Sequence, residues 1–155
     1  MIIRKAILKD AEQIAKLYLQ FWEVHKDKNP LHQPHWKINY KNCLIDTLDA
    51  IQDKEYEMYV AYESGIVMGF ILIVIKEHPE FYNVKRYGYI EEVVVDKNYR
   101  RNGIAKKMVR FVLKHYKKKG LKYVQIAAEI KLPIAIKAWE SLGFKQETIE
   151  LVRKL

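Results

Sequence analysis

A single cysteine, Cys43, rules out an intrachain disulfide and a cysteine-rich zinc site. Long apolar runs are missing as well, and nothing reaches the ~18 consecutive apolar residues expected of a membrane span. The opening Met1-Ile2-Ile3-Arg4-Lys5 soon meets polar Lys9 and Asp10, without the apolar core of a signal peptide, so a cytoplasmic location is the default expectation. No internal repeat, low-complexity tract or linker interrupts the chain, and one domain over residues 1–155 is expected. Neither a Gly-x-x-x-x-Gly-Lys-Ser/Thr run nor a Gly-x-Gly-x-x-Gly run occurs, which removes two common phosphate-binding loops.

What is present is globular composition: of 155 residues, 50% are hydrophobic and 30% charged. A chain of this length buries roughly 70% of its unfolded surface, enough for a real core. The 28 basic and 19 acidic residues leave a net charge of +9. Because the basic residues are spread along the chain, nucleic acid is not the expected partner; an acidic partner or a generally lysine-rich composition would account for the charge equally well. The dense run Lys117-Lys118-Lys119 before Gly120 reads as a helix C-terminus, where cations complement the helix dipole and glycine supplies a left-handed cap.

Hydrophobic spacing predicts strands at residues 2–7, 58–62, 66–75, 87–95 and 123–128, and a last one from about Phe144. Helices are predicted from an Asp10 cap onward, with Ile14, Leu17, Tyr18, Phe21 and Trp22 at helical spacing, then at 38–51, 103–119 and 135–142, the last begun near Pro133 and closed by Gly143. Glu63-Ser64-Gly65 marks a hairpin turn, and Gly69 a bulge or a close backbone approach. The resulting order is β-α-α-β-β-β-α-β-α-β.

The stretch from Val93 to Ala105 carries the most chemical information. A strand running into a basic, glycine-containing loop that opens a helix forms an anion site, because the first helical N–H groups have no partner within the helix. An ordinary surface loop with a glycine at a helix start explains the same residues. Arg100-Arg101-Asn102-Gly103-Ile104-Ala105 also satisfies Gln/Arg-x-x-Gly-x-Gly/Ala, the acetyl-CoA signature of the GNAT N-acetyltransferase superfamily. A second resemblance lies downstream, where the family carries Asn-x-x-Ala-x-x-x-Tyr, a spacer and Gly-Phe. Here Leu132, Ala135, Trp139, Gly143 and Phe144 occupy those places, and the element order is similar along the chain.

The resemblance implies an α/β (α+β) fold with a mixed, mostly antiparallel sheet splayed between its fourth and fifth strands. It implies acetyl-CoA as co-substrate, with no metal, its pantetheine arm against the backbone of Val93, Val94 and Val95 and its pyrophosphate wrapped by Arg100 through Ala105. As side chains, the valines are also simple core residues. The implied activity is transfer of acetyl to a primary amine, on a small molecule or a protein, by direct attack on the thioester. A homodimer through late strands is a state family members often adopt.

Trp139 stands where the family commonly has a general-acid tyrosine, and an indole N–H cannot supply a proton at neutral pH, so Trp139 should shape the thioester site or simply pack. An ammonium of pKa about 10.4 is largely protonated at neutral pH, so a base is useful. Glu91 and Glu92 are the candidates, with strand alternation placing them on opposite faces; solvent-facing strand residues are the plainer reading. Trp22, His32, His35 and Trp36 border the implied acceptor side, and the spacing of the two histidines does not complete a metal set. Two other functions remain open at this stage: a catalytically weak acyl-CoA-binding or regulatory module, favoured by Leu132 and Trp139, and a nucleic-acid-associated basic protein on the same fold. The identity of the acceptor is not legible.

Overall fold

The computed structural model describes residues 1–25 and 38–154. Five strands form one sheet in chain order: β1 (Ile2–Lys5), β2 (Tyr56–Glu63), β3 (Ile66–Glu77), β4 (Arg86–Val95) and β5 (Val124–Ile126). All neighbours are antiparallel except β4 and β5, which run parallel. α1 (Ala11–His25) and α2 (Tyr40–Gln52) cover one face, while α3 (Ile104–Lys118) and α4 (Pro133–Glu140) pack on the other. Among the described residues, no helix is long and apolar enough to cross a membrane.

β3 is covered on both faces, which explains its nearly unbroken apolar sequence. Val67, Phe70 and Leu72 join Ile14, Leu17 and Tyr18 of α1, and Met68, Ile71 and Ile73 join Met108, Val109 and Val112 of α3. The β2–β3 hairpin turns on Ser64 and Gly65, both left-handed at φ of 49° and 88°, the conformation that matches strand twist in a two-residue turn. Gly69 is a close approach: a Cβ there would lie 2.6 Å from the Val94 carbonyl.

Asp10 does not cap α1 in the expected sense. It ends a short 3-10 turn (Leu8–Asp10) and its carboxylate reaches backward, accepting from the Ile7 N–H at 2.9 Å and gripping Arg4 of β1 at 2.7 and 2.9 Å. The turn places Asp10 a residue before the helix, so its side chain serves the strand-to-helix corner instead of the free helical N–H groups.

The strand expected from Phe144 does not form among the described residues. The Phe144 N–H bonds to the Trp139 carbonyl at 3.2 Å, and its ring meets Trp139 edge-on at 5.3 Å. The chain is thus folded back on α4 at the point where it was expected to enter the sheet, and side chains over 145–154 are exposed.

The placing of the last sheet pair matters most for function. β5 pairs with β4 only at Gly88↔Val124, Tyr89↔Gln125 and Ile90↔Ile126. From Glu91 to Val95, β4 runs on without β5 beside it, so the sheet opens there as the splay required.

Candidate functional site

The open half of β4 leads directly into the anion-type loop. Asp96 caps a short 3-10 turn (Lys97–Tyr99) by accepting from the Asn98 N–H at 2.8 Å. Arg101 and Gly103 then both adopt left-handed conformations, at φ of 67° and 70°. Gly103 is the N-cap of α3 and has no side chain with which to satisfy the first helical N–H groups, and no acidic residue occupies the first turn. Those N–H groups and the positive end of the helix dipole therefore face an adjoining cleft of about 310 Å³. Val95, Tyr99, Arg100, Arg101, Gly103 and Ile104 line it, with Ala105 and, from α4, Ala138 and Leu142.

The cofactor candidates are mostly brought together here. Val94 is buried under α1, while Val93 and Val95 pack toward α3, so all three side chains are engaged in the core and only their backbone edge borders the opening. Arg100 folds back, its Nε donating to the Val95 carbonyl at 3.1 Å, and the Asn102 amide donates to the Tyr99 carbonyl at 3.2 Å. Trp139 is half-buried against Phe144 in the cluster beneath α3, and it is the neighbouring Ala138 and Leu142 that line the cleft.

Glu91 and Glu92 are not on opposite faces. Leu72 of β3 faces Glu92, but the next residue, Ile73, faces Ile90, so Glu91 is the extra residue of a β-bulge. The bulge cancels one step of the alternation and turns both carboxylates toward the α1/α2 side. Glu91 pairs with Lys76 at 3.0 Å, whose Nζ also lies 3.3 Å from the centre of the Tyr89 ring. Glu92 is set deeper. Burial drives its pKa up to about 7, the Tyr18 hydroxyl opposing by hydrogen bonding while the charges of Glu91 and Asp46 add to the rise. Its Oε2 is buried without a hydrogen-bond partner. Burial and Glu92 together hold the Tyr18 phenol well above its ordinary pKa, so it remains a neutral donor.

Further residues enter that the sequence did not single out for this site. Gln20 of α1 donates to Asp96 Oδ2 at 3.1 Å and accepts from the Lys97 N–H at 2.9 Å, tying α1 to the start of the loop. Past β5, Glu129 meets His25 at 3.2 Å, and its Oε2 is likewise buried and unpartnered. Tyr18 had a usable signal, since a tyrosine on the core face of a helix needs a partner for its hydroxyl. Glu129 and Gln20 had none, as their partners are far away in sequence. Trp22 packs edge-on against Phe21 at 5.6 Å on the α1 core, and His32, His35 and Trp36 lie outside the described residues. Among the described residues, no group of three or more His, Cys, Asp or Glu side chains could hold a metal.

A family model described as the acetyltransferase (GNAT) family matches residues 8–144. No curated protein matches the sequence. Among solved structures, a tetramutant of the BH1408 protein from Bacillus halodurans is similar over 100% of both chains, with a TM-score of 0.84 at 19% identity. Aminoglycoside N-acetyltransferase AAC(6')-Iy, in complex with CoA, is similar over 99% of this chain and 93% of its own, with a TM-score of 0.77 at 21% identity. Apo aminoglycoside 6'-N-acetyltransferase AAC(6')-IG from Acinetobacter haemolyticus aligns over 100% and 99%, with a TM-score of 0.74 at 17% identity. At these identities the three structures speak for the fold. The family match covers most of the chain and includes β4, the loop and α3, and on that ground the chain belongs to the acetyltransferase (GNAT) family.

Proposed function

We propose that this protein is an acetyl-CoA-dependent N-acetyltransferase that acylates a primary amine by direct attack on the thioester. The observation that carries the reading is the placement of a deeply buried carboxyl with a pKa of about 7, Glu92, on the same unpaired half of β4 that feeds the anion-type loop. That two aminoglycoside N-acetyltransferases, one of them in complex with CoA, share the fold supports the same reaction class.

In this reading, the N–H groups opening α3 and the Arg101–Gly103 turn hold the pyrophosphate, and the free backbone edge of Val93 to Val95 holds the pantetheine arm. The bound thioester supplies an activated acetyl group. Glu92 takes a proton from the incoming ammonium, and the freed nitrogen attacks the carbonyl carbon; a C–N bond forms, the C–S bond breaks with its electron pair leaving on sulfur as thiolate, and the acylated nitrogen gives up its second proton to that thiolate, leaving neutral amide and free thiol. A base of pKa about 7 suits this task better than an ordinary glutamate, because each unit nearer the amine lowers the proton-transfer cost by about 1.4 kcal/mol. Glu91, already paired with Lys76, is the weaker candidate. Trp139 is not required as an acid, since a thiol of pKa about 8.5 can depart as thiolate.

Amine-dependent release of free thiol from acetyl-CoA, with the acetylated product identified by mass, tests the proposal. Cofactor binding without thiol release across a broad amine panel would favour the second reading, a regulatory acyl-CoA-binding module. That reading is supported by Leu132 and Trp139 at the two positions where the chain departs from its family.

A further inference from the structure

Two neighbouring carboxyls on one side of a strand compete for the same cation, and β4 carries such a pair. The bulge at Glu91 puts it and Glu92 together on the α1/α2 side, where regular alternation would have separated them. Glu91 is the shallower of the two, since its side chain is 27% exposed whereas Glu92 Oε2 is buried, so an arriving ammonium meets Glu91 first. A cation of the protein already holds that place. Lys76 stands opposite Tyr87 on β3, and its side chain leans along the sheet until Nζ lies 3.3 Å from the centre of the Tyr89 ring and 3.0 Å from Glu91 Oε1. With Lys76 itself 38% exposed, this ion pair adds little to stability, and its consequence has to be sought in the site.

The groups around Glu92 show what that consequence is. From α1 comes the Tyr18 hydroxyl, which stays neutral, and from α2 come the Asp46 carboxylate and the buried Cys43 thiol. β4 adds Glu91, and β3 adds the ammonium of Lys76 that offsets it. His25, further along α1, is engaged by Glu129. After burial, the negative charges of Glu91 and Asp46 are what oppose ionisation of Glu92. An ammonium seated on Glu91 relieves part of that opposition and lets Glu92 ionise near neutrality.

We infer that Lys76 is a positioning residue: by holding Glu91 over the Tyr89 ring, it reserves Glu92 as the carboxyl that meets the acceptor's ammonium. This rests on the acetyl-transfer reading and adds to it a residue that acts through another. Without Lys76, Glu91 becomes a free carboxylate one residue from the base, able to seize the substrate ammonium in an unproductive pose.

The experiment follows Glu92 directly, by NMR titration of isotope-labelled glutamate carboxyls, its signal being identified by its loss in Glu92→Gln. Lys76→Met keeps the apolar stem over Tyr89 and removes the charge; it should move the Glu92 midpoint up by about half to one pH unit. Lys76→Arg should leave the midpoint in place, and Lys76→Met combined with Glu91→Gln should bring it back. With the best acceptor from the amine panel, the ascending limb of kcat/KM should shift in parallel in Lys76→Met, while at high pH kcat and KM fall together by about 2- to 5-fold. A Glu92 midpoint unmoved in Lys76→Met overturns the inference, as does a lowered Tm with no shift, which would mark Lys76 as structural. A shift that persists when Glu91 is also replaced overturns it too, because Lys76 would then not act through Glu91. Absence of transfer to every amine would sink the acetyltransferase reading instead; the titration still decides whether Lys76 sets Glu92 through Glu91.

Discussion

Gln20 and Asp96 are 76 residues apart in sequence, yet the Gln20 amide donates to Asp96 Oδ2 at 3.1 Å while its carbonyl oxygen accepts from the next N–H, that of Lys97, at 2.9 Å. One side chain on α1 thus fixes the first two residues of the loop proposed to hold the pyrophosphate. Gln20→Leu keeps the helix and removes both bonds. Each is worth about 1 kcal/mol, so the CoA dissociation constant should rise by about 5- to 20-fold in calorimetry, with a modest loss in Tm. Unchanged affinity would separate α1 from the cofactor loop.

Gly103 needs its left-handed φ of 70° but has nothing within 4 Å of where a Cβ would stand. The penalty in Gly103→Val is therefore conformational, about 1–2 kcal/mol for a left-handed residue and more for a β-branched one. Relief of that strain would re-aim the first N–H groups of α3. The rise in Tm that CoA should give the unmodified protein is expected to vanish in this variant. A folded Gly103→Val protein with a full thermal shift would show that the loop does not hold the pyrophosphate.

Glu92 should show opposite signs in stability and activity. Its folded pKa, about 7, exceeds the ordinary 4.5, so between these values the folded state binds more protons than the unfolded one and stability falls as pH rises. Replacing it with neutral glutamine should remove that dependence, raising stability above pH 7 by up to about 3 kcal/mol and changing little near pH 4. Turnover should drop by about 10²- to 10⁴-fold, and the ascending limb of kcat/KM near pH 7 should disappear. Denaturant melts at several pH values and a pH–rate profile check both halves. A larger loss in Glu91→Gln would move the base one residue back.

On the opposite face, Glu57 collects Lys119, the Tyr59 hydroxyl at 2.7 Å and His115 at 3.2 Å, joining β2 to the end of α3. Burial alone would raise this carboxyl, but the hydrogen bonds from Lys119, Tyr59 and His115 override it and hold the pKa at about 2. The folded value lies below the unfolded one, so the stabilisation is present above about pH 4.5 and lost on acidification toward 2. Glu57→Gln should be less stable at neutral pH by about 1 kcal/mol, the figure kept small by solvent screening, and its acid transition should be shallower.

Much of this architecture could be read from local patterns. The Ser64-Gly65 turn, the amphipathic α3 and the strand–loop–helix passage through Gly103 each follow from the spacing of a few neighbouring residues. The bulge at Glu91 escaped that reading because strict alternation was assumed along β4, and one inserted residue reverses the face of everything that precedes it. The segment after Phe144 has strand-like residues, but the Trp139 carbonyl claims the Phe144 N–H and diverts the chain. Gln20 and Glu129 acquire their meaning only from distant partners, which no local window contains.

Tyr116 gives the opening of the sheet a mechanical character. Its hydroxyl lies 2.8 Å from both the Val74 and Tyr89 carbonyls, and its ring occupies the place a Cβ on Gly88 would need, within 2.5 Å. That rivet fastens α3 to β3 and β4 at the level where β4 is still paired with β5, so the β4 lip of the gap is rooted in the core while its far end, from Glu91 to Val95, has no strand beside it on the β5 side. Amide exchange should accordingly be slowest around Tyr89 and Ile90, and ligand-dependent slowing should be concentrated toward the free tip at Val93 to Val95.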